Sequence, residues 1–496
     1  MFSRSMRLIA VPRRELLICI LATGLVALIS LAGIHKFGGA GLALPLIIAV
    51  VVALLMRPVA AVVLVVVLTV LVEVSDFGIL PATERLYTIG FKDLTLVDGL
   101  VALAVLSVAL DLIRTGRPLR VPRPLIVPLV ILALAMVTGV VVGHAAGASL
   151  RFAVTSEHVL AYLLVMPVAV ANLDLDRAQI TRLLGWALAL AGFKAFLGLI
   201  EVAGHLGTPI EGVAELTYYE PTSNWLIMIA ALSVFAALLA RAKPPLWMML
   251  LLPLLTASLL LSYRRSFWIG AVLGVVLVVI LGLSPVGRRL LIPIGLAVVV
   301  SIWLLGSIHF QDQIPIVKRA ESLAPSKLEA SAQDRYRLNE RANVIAEIRA
   351  HPISGLGVTI PWRATTQTLA LEGQPEARQY VHFALLWFWL KLGILGAFAY
   401  IGMMIGSMWV AWQAWHASRE PLLRAFALAS LCGVVGLLAI DTTASFTGVD
   451  PRFTLLFAAQ VGLLALLVST AESWQHEEAQ EAGPEELLAP MVPAAR

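Results

Sequence analysis

The sequence predicts an all-α fold, a polytopic helical bundle embedded in a membrane that it crosses about 14 times. Of its 496 residues, 60% are hydrophobic and only 14% are charged, and the mean hydropathy is +0.91. Soluble domains carry about 25% charged residues, so most of this chain must face lipid or other apolar helices. The apolar runs are continuous and rich in Leu, Ala and Val, which favours helices over the alternating pattern of a membrane β-barrel.

Apolar segments long enough to cross a bilayer recur along the chain, because about 20 helical residues span a hydrocarbon core of ~30 Å. Fourteen such segments can be counted, and twelve is the alternative because the second and the sixth are the weakest. The predicted spans are 15–33, 38–56, 58–74, 94–113, 124–142, 157–172, 181–203, 223–240, 246–262, 266–284, 290–308, 381–404, 422–441 and 452–470.

These spans divide the chain into four parts. Residues 1–308 hold about 11 spans, and residues 381–470 hold about three more. Between them, residues 309–380 form a polar loop, in which 333–350 has the apolar spacing of an amphipathic helix. Residues 471–496 form an acidic tail.

Lys and Arg in the short loops predict the orientation of the bundle. With the N-terminus in the cytoplasm, the cytoplasmic side receives 17 Lys or Arg, whereas the short external loops receive 7. Both termini and the acidic tail are therefore predicted to be cytoplasmic, and the loop 309–380 to be external.

The remaining composition excludes several classes of site. The two cysteines, Cys19 and Cys432, lie far apart in apolar runs, so neither a disulfide framework nor a cysteine metal site is indicated. No cluster of carboxylates has metal-ligand spacing, and we expect neither an essential metal nor a cofactor. The net charge of +5 does not indicate nucleic acid, because in a membrane protein the positions of the charges matter more than their sum.

Four arginines are candidates for binding an anion outside the membrane. Arg264 and Arg265 lie in a tight external turn, against the positive-inside trend. Arg337 and Arg341 lie four residues apart and share one face of the predicted loop helix. One guanidinium group can donate two parallel hydrogen bonds to the oxygens of a phosphate. The alternatives are snorkelling to lipid phosphates for the first pair, and a solvated face paired with Asp334 or Glu340 for the second.

His382 stands at the outer start of the span that follows the loop, where it could act as a proton acceptor or simply be an interfacial residue. Upstream, the motif HPISGLG at 351–357 combines a helix-stopping Pro352 with Gly355 and Gly357, which suit a tight turn.

Three charged residues within the predicted spans are secondary candidates. Lys194 and Lys391 lie inside apolar segments, and Glu201 lies seven residues after Lys194. Charges inside a membrane are costly, so each indicates either a functional role or an ion pair.

The order of these features resembles the O-antigen ligase and polymerase superfamily. An arginine turn is followed by a long external loop, R-x-x-x-R, HP-x-x-G-x-G and a histidine at the head of a span containing LGILG. Arg337 lies 15 residues before Pro352, and His382 lies eleven before Gly393, both at the family's spacing. Phe383 and Lys391 depart from the family, which often has Asn and an acidic residue there.

The resemblance implies a metal-independent glycosyltransferase of the bacterial inner membrane, with its active site on the periplasmic side. Its donor would be an undecaprenyl-diphosphate-linked glycan and its acceptor lipid A-core or another saccharide, with membrane lipids as surroundings. Arg265 and Arg337, helped by Arg264 and Arg341, would bind the diphosphate, and His382 would be the general base. A polymerase that extends the lipid-linked glycan is the close alternative, and a flippase or transporter for lipid-linked saccharides is the alternative from another class.

Overall fold

A computed structural model describes residues 28, 35, 43–72, 90–91, 94–204, 220–240, 246–262, 264–282, 332–364 and 378–481. The predicted span 290–308 and all but residue 28 of the predicted span 15–33 lie outside the described residues, as does the acidic tail beyond Glu481.

Helices make up nearly all of the described structure. One short antiparallel hairpin joins β1 (Gly90–Phe91) to β2 (Leu94–Thr95). The helices are α1 (Leu44–Leu55), α2 (Pro58–Leu71), α3 (Leu96–Thr115), α4 (Arg123–Ala145), α5 (Leu150–Thr155), α6 (His158–Ala171), α7 (Arg177–Gly204), α8 (Pro221–Leu239), α9 (Leu246–Leu261), α10 (Arg265–Gly282), α11 (Ala332–Ala350), α12 (Ala384–Ala417), α13 (Pro421–Ile440) and α14 (Pro451–Glu481).

A polytopic helical membrane protein is confirmed by the length and apolarity of these helices. Among the described residues, nine helices are long and apolar enough to cross a membrane, or ten if the bent pair α1–α2 counts as one span. The count of 14 spans stays a prediction. The loop helix predicted at 333–350 is confirmed as α11, Ala332–Ala350.

Three regions differ from the predicted spans, and one of them is α14, which runs to Glu481 instead of ending at 470. Helices α1 and α2 contain only 12 and 14 residues and meet at 112°, so each is shorter than a full span. Pro58 explains the break, since a proline disfavours helical backbone at the residue before it, and Arg57 has φ −134° and ψ 77°. Helix α12 runs to Ala417, well beyond the predicted end at 404.

The centre of the bundle is formed by α8, α13 and α14. Trp225 of α8 packs against Phe453 and Phe457 of α14, and its indole N–H donates to Gln460 Oε1 at 2.9 Å. Such buried polar side chains need a partner, which Gln460 supplies inside an otherwise apolar layer.

One end of the bundle, here called the loop end, gathers the helix termini that the orientation rule assigned to the external side. The backbone N–H of Ala384, at the start of α12, donates to the carbonyl of Asp441, just after α13, at 3.0 Å. Arg452, at the start of α14, donates to the carbonyl of Thr69, near the end of α2, at 3.2 Å. These contacts put the N-terminus of α12 and the loop between α13 and α14 in one layer.

Helix α11 and the segments around it cover this loop end. Val344 and Ile348 of α11 pack with Trp362, Val381 and Leu390 in a small apolar core, separate from the core of the bundle. This second core holds α11 against the start of α12, and so determines which α11 side chains reach His382.

Candidate active site

Four neighbouring side chains of α11 surround the start of α12. Tyr336, Arg337, Glu340 and Arg341 fall at positions i, i+1, i+4 and i+5, so they lie on adjoining strips of the helix. Glu340 is fully buried, although its side chain ends in a carboxyl group and α11 lies between two predicted membrane spans. A buried carboxylate needs a strong partner, because desolvation penalises its charge.

The partner of Glu340 is His382. The backbone N–H of His382 donates to Glu340 Oε2 at 2.9 Å, and Nδ1 of its ring lies 2.9 Å from the same oxygen. A carboxylate can only accept, so we assign the ring proton to Nδ1, which leaves a lone pair on Nε2. Nε2 makes no hydrogen bond within the described part of the chain, and 24% of the side chain is exposed. This is the geometry of an oriented base.

Two tyrosines flank the imidazole ring. The Tyr380 ring lies 4.8 Å from it at 85°, and the Tyr336 ring lies 6.1 Å from it at 82°. The Tyr380 hydroxyl donates to the carbonyl of Ser445 at 3.2 Å. Burial raises the pKa of the Tyr336 phenol, and the Glu340 carboxylate raises it further. The Tyr336 hydroxyl therefore stays protonated at neutral pH.

Two arginines of the site, Arg264 and Arg337, act electrostatically on Tyr380. Burial raises the pKa of the Tyr380 phenol, while the positive charges of Arg264 and Arg337 act in the opposite direction. Both guanidinium groups therefore lie within electrostatic range of this hydroxyl, although they are 73 positions apart in sequence. Arg341 lies farther along α11, with its guanidinium 5.2 Å from the Phe383 ring.

Arg264 and Arg265, which are adjacent in the turn that leads into α10, differ in burial. Arg264 is buried, and its guanidinium lies 5.3 Å above the Phe446 ring. Arg265 is the first residue of α10 and is half-buried. The charge of Arg264 acts on Tyr380, and the predicted role of Arg265 in binding the diphosphate stays a prediction.

The loop between α13 and α14 forms the floor of the site. The hydroxyl of Ser445 donates to the carbonyl of Val381 at 2.5 Å, next to His382. Asp441 accepts hydrogen bonds from the hydroxyl of Tyr400 at 2.9 Å and from that of Thr447 at 3.0 Å. The floor therefore links the histidine segment to the Phe446 ring beneath Arg264.

The HPISGLG motif packs against a break in α12 and so holds the end of α11 next to this helix. Gly393 has φ 71° and ψ −164°, which interrupts the helix, and the N–H of Ile394 donates to the carbonyl of Ile353 at 3.1 Å. A Cβ on Gly355 would lie 2.6 Å from the backbone nitrogen of Gly393. A Cβ on Gly357 would overlap the backbone of Gly143 in α4. Three backbones thus meet where only glycine fits.

The two lysines predicted inside spans have internal partners. The Lys391 ammonium donates to the carbonyl of Ile360, which ties α12 to the segment after the glycine motif. Lys194 is fully buried, and its charge acts on the carboxylate of Glu220, which also pairs with Arg452 at 3.3 Å. These contacts favour structural roles for both lysines. Glu201 lies half-buried near the end of α7.

Sequence reasoning did not predict the roles of Glu340 and the two tyrosines. From the sequence, Glu340 is only a possible ion-pair partner for the arginines of its own helix, but in the structure it contacts His382. The segment YRLNER contained a signal, since Tyr336 and Glu340 are four residues apart and share a helix face with the arginines. Within the described residues, no group of three or more His, Cys, Asp or Glu side chains could hold a metal ion.

Residues 249–401 match a family model described as O-antigen ligase. The match includes the arginine turn, α11, the glycine motif and His382. No curated protein matches the chain. The motifs and the family match agree, and the chain carries a domain of the O-antigen ligase superfamily at residues 249–401.

Proposed function

We propose that this protein is an O-antigen ligase-like glycosyltransferase of the bacterial inner membrane. It moves a glycan from an undecaprenyl-diphosphate carrier to a hydroxyl of lipid A-core or another saccharide acceptor at the periplasmic face. The observation that carries the proposal is His382, which is held at Nδ1 by the buried Glu340 and has no hydrogen bond at Nε2 within the described residues.

The proposed reaction follows from this geometry. Nε2 of His382 takes the proton of the acceptor hydroxyl while that oxygen forms a bond to the anomeric carbon of the donor glycan. The bond from this carbon to the diphosphate oxygen breaks, and its electron pair leaves with the undecaprenyl diphosphate. The Glu340 carboxylate stabilises the imidazolium that forms, as a third group does in other oriented bases.

Arginines near Tyr380 are suited to the leaving group. Arg264 and Arg337 belong to different elements, and the charges of both act on Tyr380, so a diphosphate bound beside this residue would have its growing charge offset by both guanidinium groups. Arg265 follows Arg264 directly at the start of α10, and Arg341 lies beside the Phe383 ring. Both would extend the cationic surface. The loop end lies where a lipid-anchored donor and an extramembrane acceptor can meet.

A flippase or transporter would need cationic groups along a path through the bundle. The two cations deepest in the described spans instead bind internal partners, because Lys391 donates to Ile360 and Lys194 faces Glu220. The arginines proposed to bind the substrate, in contrast, lie at the loop end. This distribution favours transfer chemistry over translocation.

Reconstitution into liposomes with labelled undecaprenyl-diphosphate oligosaccharide and candidate acceptors tests the proposal. Label on the acceptor indicates ligation, longer lipid-linked glycan indicates the polymerase, and movement of unchanged donor across the bilayer indicates a transporter. His382→Ala should lower transfer by ~10²–10⁴-fold but keep donor binding. Arg337→Ala should weaken donor binding, whereas Arg349→Ala, an exposed arginine at the far end of α11, is the matched control. Equal activity in His382→Ala and the wild type would refute the mechanism.

A further inference from the structure

The surroundings of His382 are closed in several directions. Glu340 occupies the Nδ1 edge and the backbone N–H, with both bonds at 2.9 Å. Tyr380 covers another side at 4.8 Å, and its hydroxyl is committed to Ser445. Among the described residues, Tyr336 is the second aromatic side chain beside the imidazole ring, and we expect an acceptor that reaches Nε2 to pass close to it.

Tyr336 differs from Tyr380 in one respect that bears on ligand binding. Both side chains are half-buried, but the Tyr336 hydroxyl makes no hydrogen bond among the described residues, whereas that of Tyr380 does. Tyr336 thus offers an apolar ring 6.1 Å from the imidazole ring, and a hydroxyl that has no hydrogen-bond partner among the described residues. A half-buried aromatic side chain of this kind is suited to bind a ligand that has both C–H and O–H groups.

The chemistry of a pyranose ring matches these groups. One face of the sugar presents C–H groups that pack on an aromatic ring, and its rim carries hydroxyls that pair with a phenol. The cationic side of the site, near Tyr380, is assigned to the donor diphosphate, because Arg264 and Arg337 act on that phenol. One anion and one cation, Glu340 and Arg378, act on the Tyr336 phenol, so this side has no excess of positive charge and is assigned to the uncharged saccharide of the acceptor.

We propose that Tyr336 is an acceptor-binding residue: the terminal pyranose of the acceptor packs on its ring, with one sugar hydroxyl bonded to its phenol and the reacting hydroxyl directed at His382 Nε2. This rests on the proposed function, and it adds the acceptor contact and its chemical class.

The kinetic test uses membrane vesicles from host cells that lack the native gene, which retain the native acceptor, with labelled undecaprenyl-diphosphate oligosaccharide as donor. Acceptor density is varied by fusing the vesicles with synthetic phospholipid. Tyr336→Leu should raise the half-saturating acceptor density by about tenfold and leave that of the donor within about twofold. Tyr336→Phe keeps the ring and should give a smaller shift. Leu338→Ala, on the same helix and 49% exposed, is the control and should give no shift.

A second readout does not depend on turnover. A benzoylphenylalanine photocrosslinker at position 336 should capture a glycolipid in these vesicles, and one at position 338 should not. An unchanged acceptor dependence in Tyr336→Leu, with active wild type, would overturn the proposal, as would a loss of turnover number alone. If the wild type transfers nothing, the proposed function fails, and the photocrosslink alone then decides whether Tyr336 binds saccharide.

Discussion

The buried pair of Glu340 and His382 yields the sharpest prediction. Replacing Glu340 with Gln keeps the size of the side chain but removes its charge, whereas Glu340→Ala removes both acceptors. In the native structure this carboxylate holds two N–H groups of His382 at 2.9 Å. Both substitutions therefore remove the charge that would stabilise the imidazolium, and both weaken the contacts that orient the base.

The size of the effect follows from the bonds that are lost. A hydrogen bond to a charged group contributes about 1.5–3 kcal/mol, and each 1.36 kcal/mol in the barrier is about tenfold in rate. Glu340→Gln should lower the turnover number by about tenfold, since the amide oxygen can still accept one bond but cannot stabilise imidazolium. Glu340→Ala should lower it by roughly 100-fold or more, because it also leaves a buried backbone N–H without its acceptor.

The assay is glycan transfer in liposomes, with donor binding and thermal unfolding measured on the same preparations. Glu347→Gln is the matched control, since Glu347 is a buried carboxylate on the same helix that pairs with Arg363 at 2.7 Å instead of the histidine. Its turnover number should stay close to that of the wild type. If Glu340→Ala transfers glycan within threefold of the wild-type rate, the carboxylate does not orient the base.

Three further predictions concern folding, pH and topology. Gly357→Ala should prevent stable folding, because its Cβ would overlap the backbone of Gly143 and its φ is +88°. The Arg363 hydrogen bond holds the pKa of the Glu347 carboxyl below its ordinary value. This pair should therefore add stability above the ordinary carboxyl pKa and lose it as pH falls through the lowered one, so Arg363→Gln should melt earlier than the wild type at pH 7 but not in acid. A cysteine at Ile353, which is 78% exposed, should react with a membrane-impermeant thiol reagent applied from outside, and one at Gly116 should not.

Each of these has a control. Gly185→Ala should fold normally, because a Cβ there meets no atom within 4 Å. The effect of Arg363→Gln should be small even at pH 7, since 74% of the guanidinium side chain is exposed, and an equal difference at acid pH would show that the ion pair is not its source. Labelling requires that Cys19 and Cys432 first be replaced, and the reverse labelling pattern would overturn the periplasmic location of the site.

Much of the architecture could be read from the sequence, because local physics dictates it. Continuous apolar runs must form helices in a bilayer, where no water can satisfy the backbone. The same rule predicted α11, since Leu338, Ala342 and Ile345 recur at helical spacing. Periodicity was less informative where the chain bends, and so the break between α1 and α2 and the full length of α12 became evident only in the structure.

Residue type and spacing along the chain were enough to predict the membrane class of this protein, the order of its motifs and His382 as a candidate base. That Glu340 contacts His382, and that the charges of Arg264 and Arg337 both act on Tyr380, became evident only from the three-dimensional arrangement. The physical reason is that these contacts join residues 42 or more positions apart. These contacts depend on the packing of the glycine motif against the break in α12. They also depend on the small core around Trp362, which fixes the rotation of α11.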